Sequence, residues 1–477
     1  MKQHLGGLAN RREFIGGGLS LLAGWCLPVR AFSGGTPNLR LGVASDIHIS
    51  GMWRQDIELE KTLRWFDAEK VDAVMVPGDI AHSGLISELE TFASVWNRVF
   101  PGDRGGDGRP VEKLFVTGNH DLDAWWVKGD AAKLERTLFS YGDNRRKVWE
   151  RLFHEEYLPV WKKTVKGYTF VGAQWPKPQP PVEAWFREHA EELRGRKPFF
   201  YVQHAHPKGT CHQGRASTDD GTSTRVLSAF PNAVAITGHS HQTLTDESSV
   251  WQGAFTSIGA GCLRSACDDR WDFPYDSRWP FYSPKRKTNR MKPLSGEEGR
   301  CALLIDVFDD RLVVHRRSVA YGMPLGDDWC VPLPATKGGP FDTEVRKASG
   351  AAPEFDAGAK ATVERCAVTP DDIAGPALKG KPCVRVRIPP ARTVPGGRRV
   401  YDYEVKAMDG DTTLLTRYVL AAGFNVPPDK SVRTSDCLFD DGEIPADRPV
   451  RFVITPRDSF GVAGASLQSC LSGFHDF

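Results

Sequence analysis

Apolar and polar residues follow two rhythms along this chain, and the order in which the rhythms change suggests a fold. Leu39 to Ala44 is a short apolar run bounded by polar residues, the mark of a buried strand. Leu59, Leu63 and Phe66 then recur at helical spacing and predict an amphipathic helix. Val71 to Val76 repeats the strand signal. Leu85, Leu89, Phe92, Trp96 and Val99 follow at alternating steps of four and three and predict a second helix. Pro101 to Pro110, rich in Gly and Asp, reads as a surface loop, and Glu112 to Thr117 is a third strand. This order belongs to a sheet covered by helices.

A charged helical stretch runs from about Ala131 to His154, and then strands dominate. They are expected at Tyr168 to Gln174, Pro198 to Gln203, Asn232 to Thr237, Trp251 to Ile258 and Cys301 to Val307. The expectation is an α/β domain over 38–335, two sheets packed face to face with helices outside. Residues 336–360, rich in Gly, Ala and Lys, read as a linker. In 361–477, Cys383 to Ile388, Val400 to Met408, Thr413 to Val419 and Val450 to Thr455 predict an all-β sandwich. Asp268 to Pro293 has neither period. Its Trp, Phe and Tyr residues, followed by Lys285, Arg286, Lys287 and Arg290, suit either a lid over a phosphorylated substrate or a loop packed on the surface.

Composition adds less. The chain has 477 residues, enough for two domains, and a formal charge of +2. No basic stripe marks it as a nucleic-acid binder, so any preference for phosphate must come from a local site. Arg11-Arg12-Glu13-Phe14-Ile15 precedes a weakly apolar run, Gly16 to Leu27. That pattern resembles a twin-arginine export signal over residues 1–31, cut near Ala31, with a periplasmic or secreted product. The run is too short for a comfortable transmembrane span. The ten cysteines include no C-x-x-C pair, which argues against a zinc knuckle.

The chemistry gathers after the predicted strands. Asp46 and His48 follow the first, Asp79 the second, and Gly118-Asn119-His120-Asp121 the third. His204 and His206 follow a later strand, and His239 and His241 another. The carboxyl ends of strands are where open α/β sheets hold ligands. Glycine at 118 is expected to permit a sharp turn through backbone angles closed to other residues. The D-x-H and H-x-H steps are expected to point both side chains to one side of an extended segment. Carboxylate, amide and imidazole donors together suit zinc, manganese or iron. Seven of them exceed what one tetrahedral metal needs.

The order D-x-H, G-D, G-N-H-D, H, G-H-x-H resembles the calcineurin-like metallophosphoesterase family over roughly residues 38–330. The resemblance implies a four-layer α/β/β/α sandwich and two divalent or trivalent cations, Zn, Mn or Fe. It implies that Asp46, His48 and His241 hold the first cation, that Asn119, His204 and His239 hold the second, and that Asp79 bridges them. His120 is implied beside the substrate, as proton donor to the leaving oxygen or as a charge on the transition state, with Asp121 orienting it. The family often shows H-x-P where this chain has His204-Ala205-His206-Pro207. His204 is taken as the ligand and His206 as a substrate contact, with the reverse assignment open. His82 stands where purple acid phosphatases carry a tyrosine, so the phosphodiesterase-like branch is the nearer match. His82, His154 and His212 are read as structural.

The implied activity is hydrolysis of a phosphate monoester or diester of a small molecule by a hydroxide shared between the cations. A nuclease using the same site and a non-catalytic binding or adhesion protein on this fold are the alternatives. Arg451 to Pro456 with Asp458-Ser459-Phe460-Gly461 resembles the last-strand region of a fibronectin type III domain, a module for packing or for protein or carbohydrate contact.

Overall fold

The first three apolar runs become neighbouring parallel strands, Leu39–Val43, Ala73–Pro77 and Glu112–Val116. The helices Gln55–Ala68 and Ile86–Val99 connect them. These elements come from a computed structural model, which describes residues 35–51, 54–123, 134–175, 181–214, 218–264, 298–369 and 380–471. The expected export signal and the loop Asp268 to Pro293 lie outside the described residues. On its other edge, Leu39–Val43 pairs antiparallel with Cys301–Val307, which pairs with Arg311–Ser318. Met323–Pro324 and Trp329–Pro332 both add to Arg311–Ser318, giving seven strands.

The second sheet has six strands, in the order Val160–Val165, Tyr168–Ala173, Phe199–Gln203, Ala233–Thr237, Thr256–Gly259, Val250–Gln252. Its four middle strands run parallel. Leu41, Val43, Met75 and Leu114 of one sheet share a core with Phe200, Val202, Val234 and Ile236 of the other. The outer face of the first sheet, with Val74, Val76 and Phe115, packs on Leu59, Leu63, Phe66, Leu89, Phe92 and Trp96. The outer face of the second packs on Val182, Phe186 and Leu193 of the helix Val182–Leu193. Both faces of the central strands are therefore covered. That is why they read as unbroken apolar runs instead of alternating ones. Each Leu or Phe so buried contributes about 1.5–3 kcal/mol. The α/β/β/α expectation is met.

Several elements differ from the sequence reading. Trp251 to Ile258 is two antiparallel strands, because the chain turns at Gly253, whose N–H donates to Phe255 O at 3.0 Å. Arg311–Ser318 went unread because it carries Arg311, His315, Arg316 and Arg317 among its apolar residues. It is a one-sided strand, with Leu312 and Val314 fully buried. Residues 336–360, expected as a linker, hold the helix Thr343–Ser349, capped by Asp342, whose carboxylate accepts from the N–H groups of Glu344 and Val345.

The C-terminal part is all β. Thr362–Ala367, Pro382–Ile388 and Ser435–Asp440 form one sheet. Thr412–Leu420, Val400–Asp409, Arg451–Asp458 and Leu467–Cys470 form another. Val384, Val386, Tyr401, Val405, Phe439, Phe452 and Ile454 fill the core between them. Arg451–Asp458 is not the last strand, since Leu467–Cys470 pairs beyond it. Residues Pro37–Phe477 form one compact unit, and no helix among the described residues is long and apolar enough to cross a membrane.

One surface contact makes stability depend on pH. His315 lies between Asp306, 3.3 Å from its Nε2, and Asp328, 2.9 Å from its Nδ1. Hydrogen bonds to these carboxylates lift the ring to about 9. A raised pKa means stability that is complete below about pH 6.5, the unfolded value, and is lost as pH climbs through the folded one. His315→Gln should cost about 1–2 kcal/mol at pH 7, after allowance for the ring's partial exposure. Urea unfolding at pH 6.5 and 9.5 checks this. The variant and parent should differ at the lower pH and converge at the higher.

Candidate metal centre

All five motifs lie just beyond the carboxyl ends of parallel strands. Asp46 follows Leu39–Val43, Asp79 follows Ala73–Pro77 and Asn119 follows Glu112–Val116. His204 and His239 follow Phe199–Gln203 and Ala233–Thr237 in the second sheet. The segments are bound to one another through the backbone. The carbonyl of Asp79 accepts from the N–H groups of Ile47 and His48 at 2.9 and 3.0 Å, and that of His204 accepts from Gly238 N at 2.9 Å.

The side chains converge differently from the extended picture. Asp46, His48, Asp79, His239 and His241 all have positive φ, between 51° and 69°. Left-handed backbone costs of order 1 kcal/mol or more for a side chain other than glycine, and it persists only where the surroundings enforce it. The D-x-H and H-x-H pairs therefore meet because both members turn left-handed, rather than through strand alternation. Gly118 also differs. Its φ and ψ are −108° and −172°, open to any residue. What requires glycine there is space, since a Cβ would lie 2.2 Å from Asp79 Oδ1 and 2.8 Å from His204 Nε2.

The donor atoms of Asp46, His48, Asp79 and His241 lie within 4.8 Å of one another, and so do those of Asp79, His204 and His239. Asn119 Oδ1 joins the second group, 3.1 Å from His204 Nε2. Asp79 belongs to both. Its Oδ2 is fully buried with no hydrogen-bond partner, 3.5 Å from His48 Nε2 and 3.2 Å from His204 Nε2. His48 Nε2 and His241 Nε2 face each other at 3.1 Å. Two imidazole nitrogens on one tetrahedral zinc are about 3.3 Å apart, from Zn–N bonds of about 2.05 Å. An unpaired carboxylate oxygen set among converging ring nitrogens fits cations well.

The charges agree. Burial pulls His204 down, but Asp79 outweighs it and lifts the ring to about 9. His241 likewise rises well above its usual value, against burial, through Cys262 and Asp46. Two buried carboxylates thus demand positive charge, which protons or cations can supply. His204 Nδ1 lies 2.7 Å from Pro77 O, an acceptor, so Nδ1 carries a proton, and Nε2 is the ring nitrogen that faces Asp79 and Asn119 and would be left to hold a cation. Of the His204-x-His206 pair, His204 is the one whose ring nitrogen lies among the donor groups.

Two expected roles change. His206 is fully buried, its Nδ1 2.6 Å from Thr237 Oγ1 and its Nε2 2.8 Å from Ser240 Oγ. Both nitrogens are engaged, so the ring braces the Gly238 to His241 loop and is not presented to a substrate. The Asp121 carboxylate accepts from the N–H groups of Gly118, Ala81 and Ile80 at 2.8, 2.7 and 3.3 Å. It therefore ties together the two loops that carry Asp79 and Asn119. The His120 ring is oriented instead by its Nδ1, 2.8 Å from His82 O, while its backbone N–H donates to Asp79 Oδ1 at 2.8 Å.

Sequence reasoning missed three neighbours. His82, read as structural, stacks on His120 with centroids 5.3 Å apart and places its Nδ1 3.3 Å from His48 Nδ1. Its position three places after Asp79, inside the same loop, was the available signal. Trp175 walls the second group, with its centroid 5.8 Å from His204 and 5.6 Å from His239. Cys262 lies beside His241 and near Asp46 O, 3.4 Å from its Sγ. Nothing in the sequence around Trp175 or Cys262 points to the site.

Residues 39–243 match the family model described as calcineurin-like phosphoesterase. No curated protein matches the chain. Among solved structures, a dimetal phosphatase from Danio rerio is 12% identical with a TM-score of 0.35, and the match covers 62% of this chain and 99% of that one. A purple acid phosphatase from yellow lupin (Lupinus luteus) seeds is 13% identical with a TM-score of 0.38, over 62% of this chain and 55% of that one. The anchor in the inner membrane complex of Plasmodium is also 13% identical, with a TM-score of 0.35, over 63% and 89%. These likenesses are too distant to speak for this chain's substrate. The matched stretch holds every residue of the two donor groups, so residues 39–243 are similar to a calcineurin-like phosphoesterase domain, and the match supports a metal-dependent phosphoesterase.

Proposed function

We propose that the chain is an exported hydrolase of phosphate monoesters or diesters of small molecules, working with two cations. The observation that carries this reading is Asp79 Oδ2, a buried oxygen common to both donor groups and bonded to nothing else. Asp46, His48 and His241 would hold one cation, and Asn119, His204 and His239 the other, with Asp79 between. Bound there, the pair supplies charge neutralisation to a phosphoryl group and acidifies water, whichever of Zn, Mn or Fe is native. The chain's own residues do the rest. His120, its Nδ1 proton committed to His82 O, would serve a leaving oxygen through Nε2. Trp175 and the buried faces of His204 and His239 limit water on one side.

Export is supported by Arg11-Arg12 and the apolar run after them. The division into 38–335 and 361–477 belongs to the same reading. The two main C-terminal sheets, of three and four strands among the described residues, support a fibronectin type III-like module for packing or for protein or carbohydrate contact. Activity on nitrophenyl phosphate, on its bis-ester and on DNA, with elemental analysis of the same sample, tests the proposal. Turnover of either ester with about two metals per chain supports it. Preference for DNA would favour a nuclease, and a metal-free, inert protein would favour a binding role.

His120→Ala should leave metal content intact, because the backbone N–H to Asp79 survives the substitution. Turnover should fall about 10²–10⁴-fold, the range for lost acid–base help. Metal loss in this variant would place His120 among the ligands instead.

A further inference from the structure

A cavity of about 550 Å³ opens where the last strands of the first sheet meet the C-terminal part of the chain. That is the size of a small-molecule site. None of the residues of the two donor groups lines it. Its walls carry Arg316, Arg346, Arg398, Arg399 and Glu247.

The charges do not balance. Glu247 is shared by two guanidiniums, 2.8 Å from Arg316 Nη1 and 2.6 Å from Arg346 Nη2, and also accepts from Trp329 Nε1 at 2.9 Å. Arg398 pairs with Asp458 at 2.8 Å. Arg399 donates from Nη1 to the carbonyls of Phe424 and Val426, at 2.9 and 2.6 Å, and has no carboxylate partner among the described residues. Four guanidinium groups thus face Glu247 and Asp458, with the buried Asp246 also acting on Arg346, and positive charge remains in excess. Asp327 and Asp328 also line the cavity but are exposed, where water screens them, and Asp328 is held by His315. Burial and the neighbouring Arg316 push Arg399 down to about 10, with Glu247 pulling the other way. Buried charge of one sign is costly unless something pairs with it.

We propose that this cavity binds a small anion through carboxylate or phosphate oxygens, with Arg399 as its principal contact and Arg346 and Arg316 beside it. A planar guanidinium offers paired donors in the geometry such oxygens accept. The excess of positive charge selects an anionic ligand. The site is independent of the metal centre and of the reaction proposed for it.

Thermal unfolding of the metal-loaded full chain is measured against succinate, inorganic phosphate and sulfate. At least one should raise Tm saturably. Arg399→Gln, which keeps an N–H for the Phe424 and Val426 carbonyls, should weaken that binding about tenfold or more. Arg399→Lys should be intermediate, and Asp79→Asn, expected to empty the metal centre, should still bind as the parent does, separating this cavity from the active centre. A response to succinate alone identifies a carboxylate ligand, and a response to phosphate and sulfate a tetrahedral one. The proposal is overturned if no anion acts on the parent up to about 50 mM, weaker than any useful site. It is equally overturned if both folded Arg399 variants titrate unchanged.

Discussion

Asp79→Asn should strip the centre of both cations and lower turnover by about 10³-fold or more, the several kcal/mol that metal catalysis supplies. The substitution changes almost nothing in volume. It replaces one carboxylate oxygen by an NH₂ group. Oδ1 is held by the His120 N–H, so the amide nitrogen must take the place of Oδ2. There it would face His48 Nε2 and His204 Nε2, where a shared negative oxygen now lies. A donor pointing at cations repels them, and both donor groups lose their common member. Elemental analysis of the folded variant is the check. Two metals per chain at full occupancy would end the bridging role.

Gly118→Ala should be nearly as damaging through space alone. The backbone there is conformationally ordinary, so no strain term enters. The new methyl carbon would lie 2.2 Å from Asp79 Oδ1 and 2.6 Å from Asp79 N. One obstacle is the bridging carboxylate and the other is backbone, so neither can step aside freely. A displacement of about 1 Å at a reacting centre costs about 10²-fold, and at least that loss is expected here. Circular dichroism should remain native while metal content drops. Activity within a few-fold of the parent would mean that the close approach of these two loops is unimportant.

The same residue shows how far the sequence could be read. The glycine was recognisable as special, but the reason inferred from it, a turn with unusual angles, was not the operative one. Contact between Gly118 and Asp79 joins positions 39 residues apart, and local pattern carries no record of it. His206 is a similar case. As a residue type in an H-x-H step it was a reasonable substrate contact. Only the positions of Thr237 and Ser240 reveal that both its nitrogens are occupied. Asp121 and His82 exchanged their expected parts in the same way.

The chain's apolar rhythm determined the strands Leu39–Val43, Ala73–Pro77 and Glu112–Val116 and the helices between them, because burial on two faces or one leaves a period in the sequence. The residue types beyond those strands determined that hard and borderline donors would collect at one end of the sheets. Tertiary structure decided which atoms meet. Left-handed turns at five of the candidate donor residues aim their side chains, and packing of the two sheets brings His204 and His239 to Asp79. It also gathers four arginines from three separate segments around one cavity. Such encounters depend on distances between remote segments, and those exist only once the core has closed.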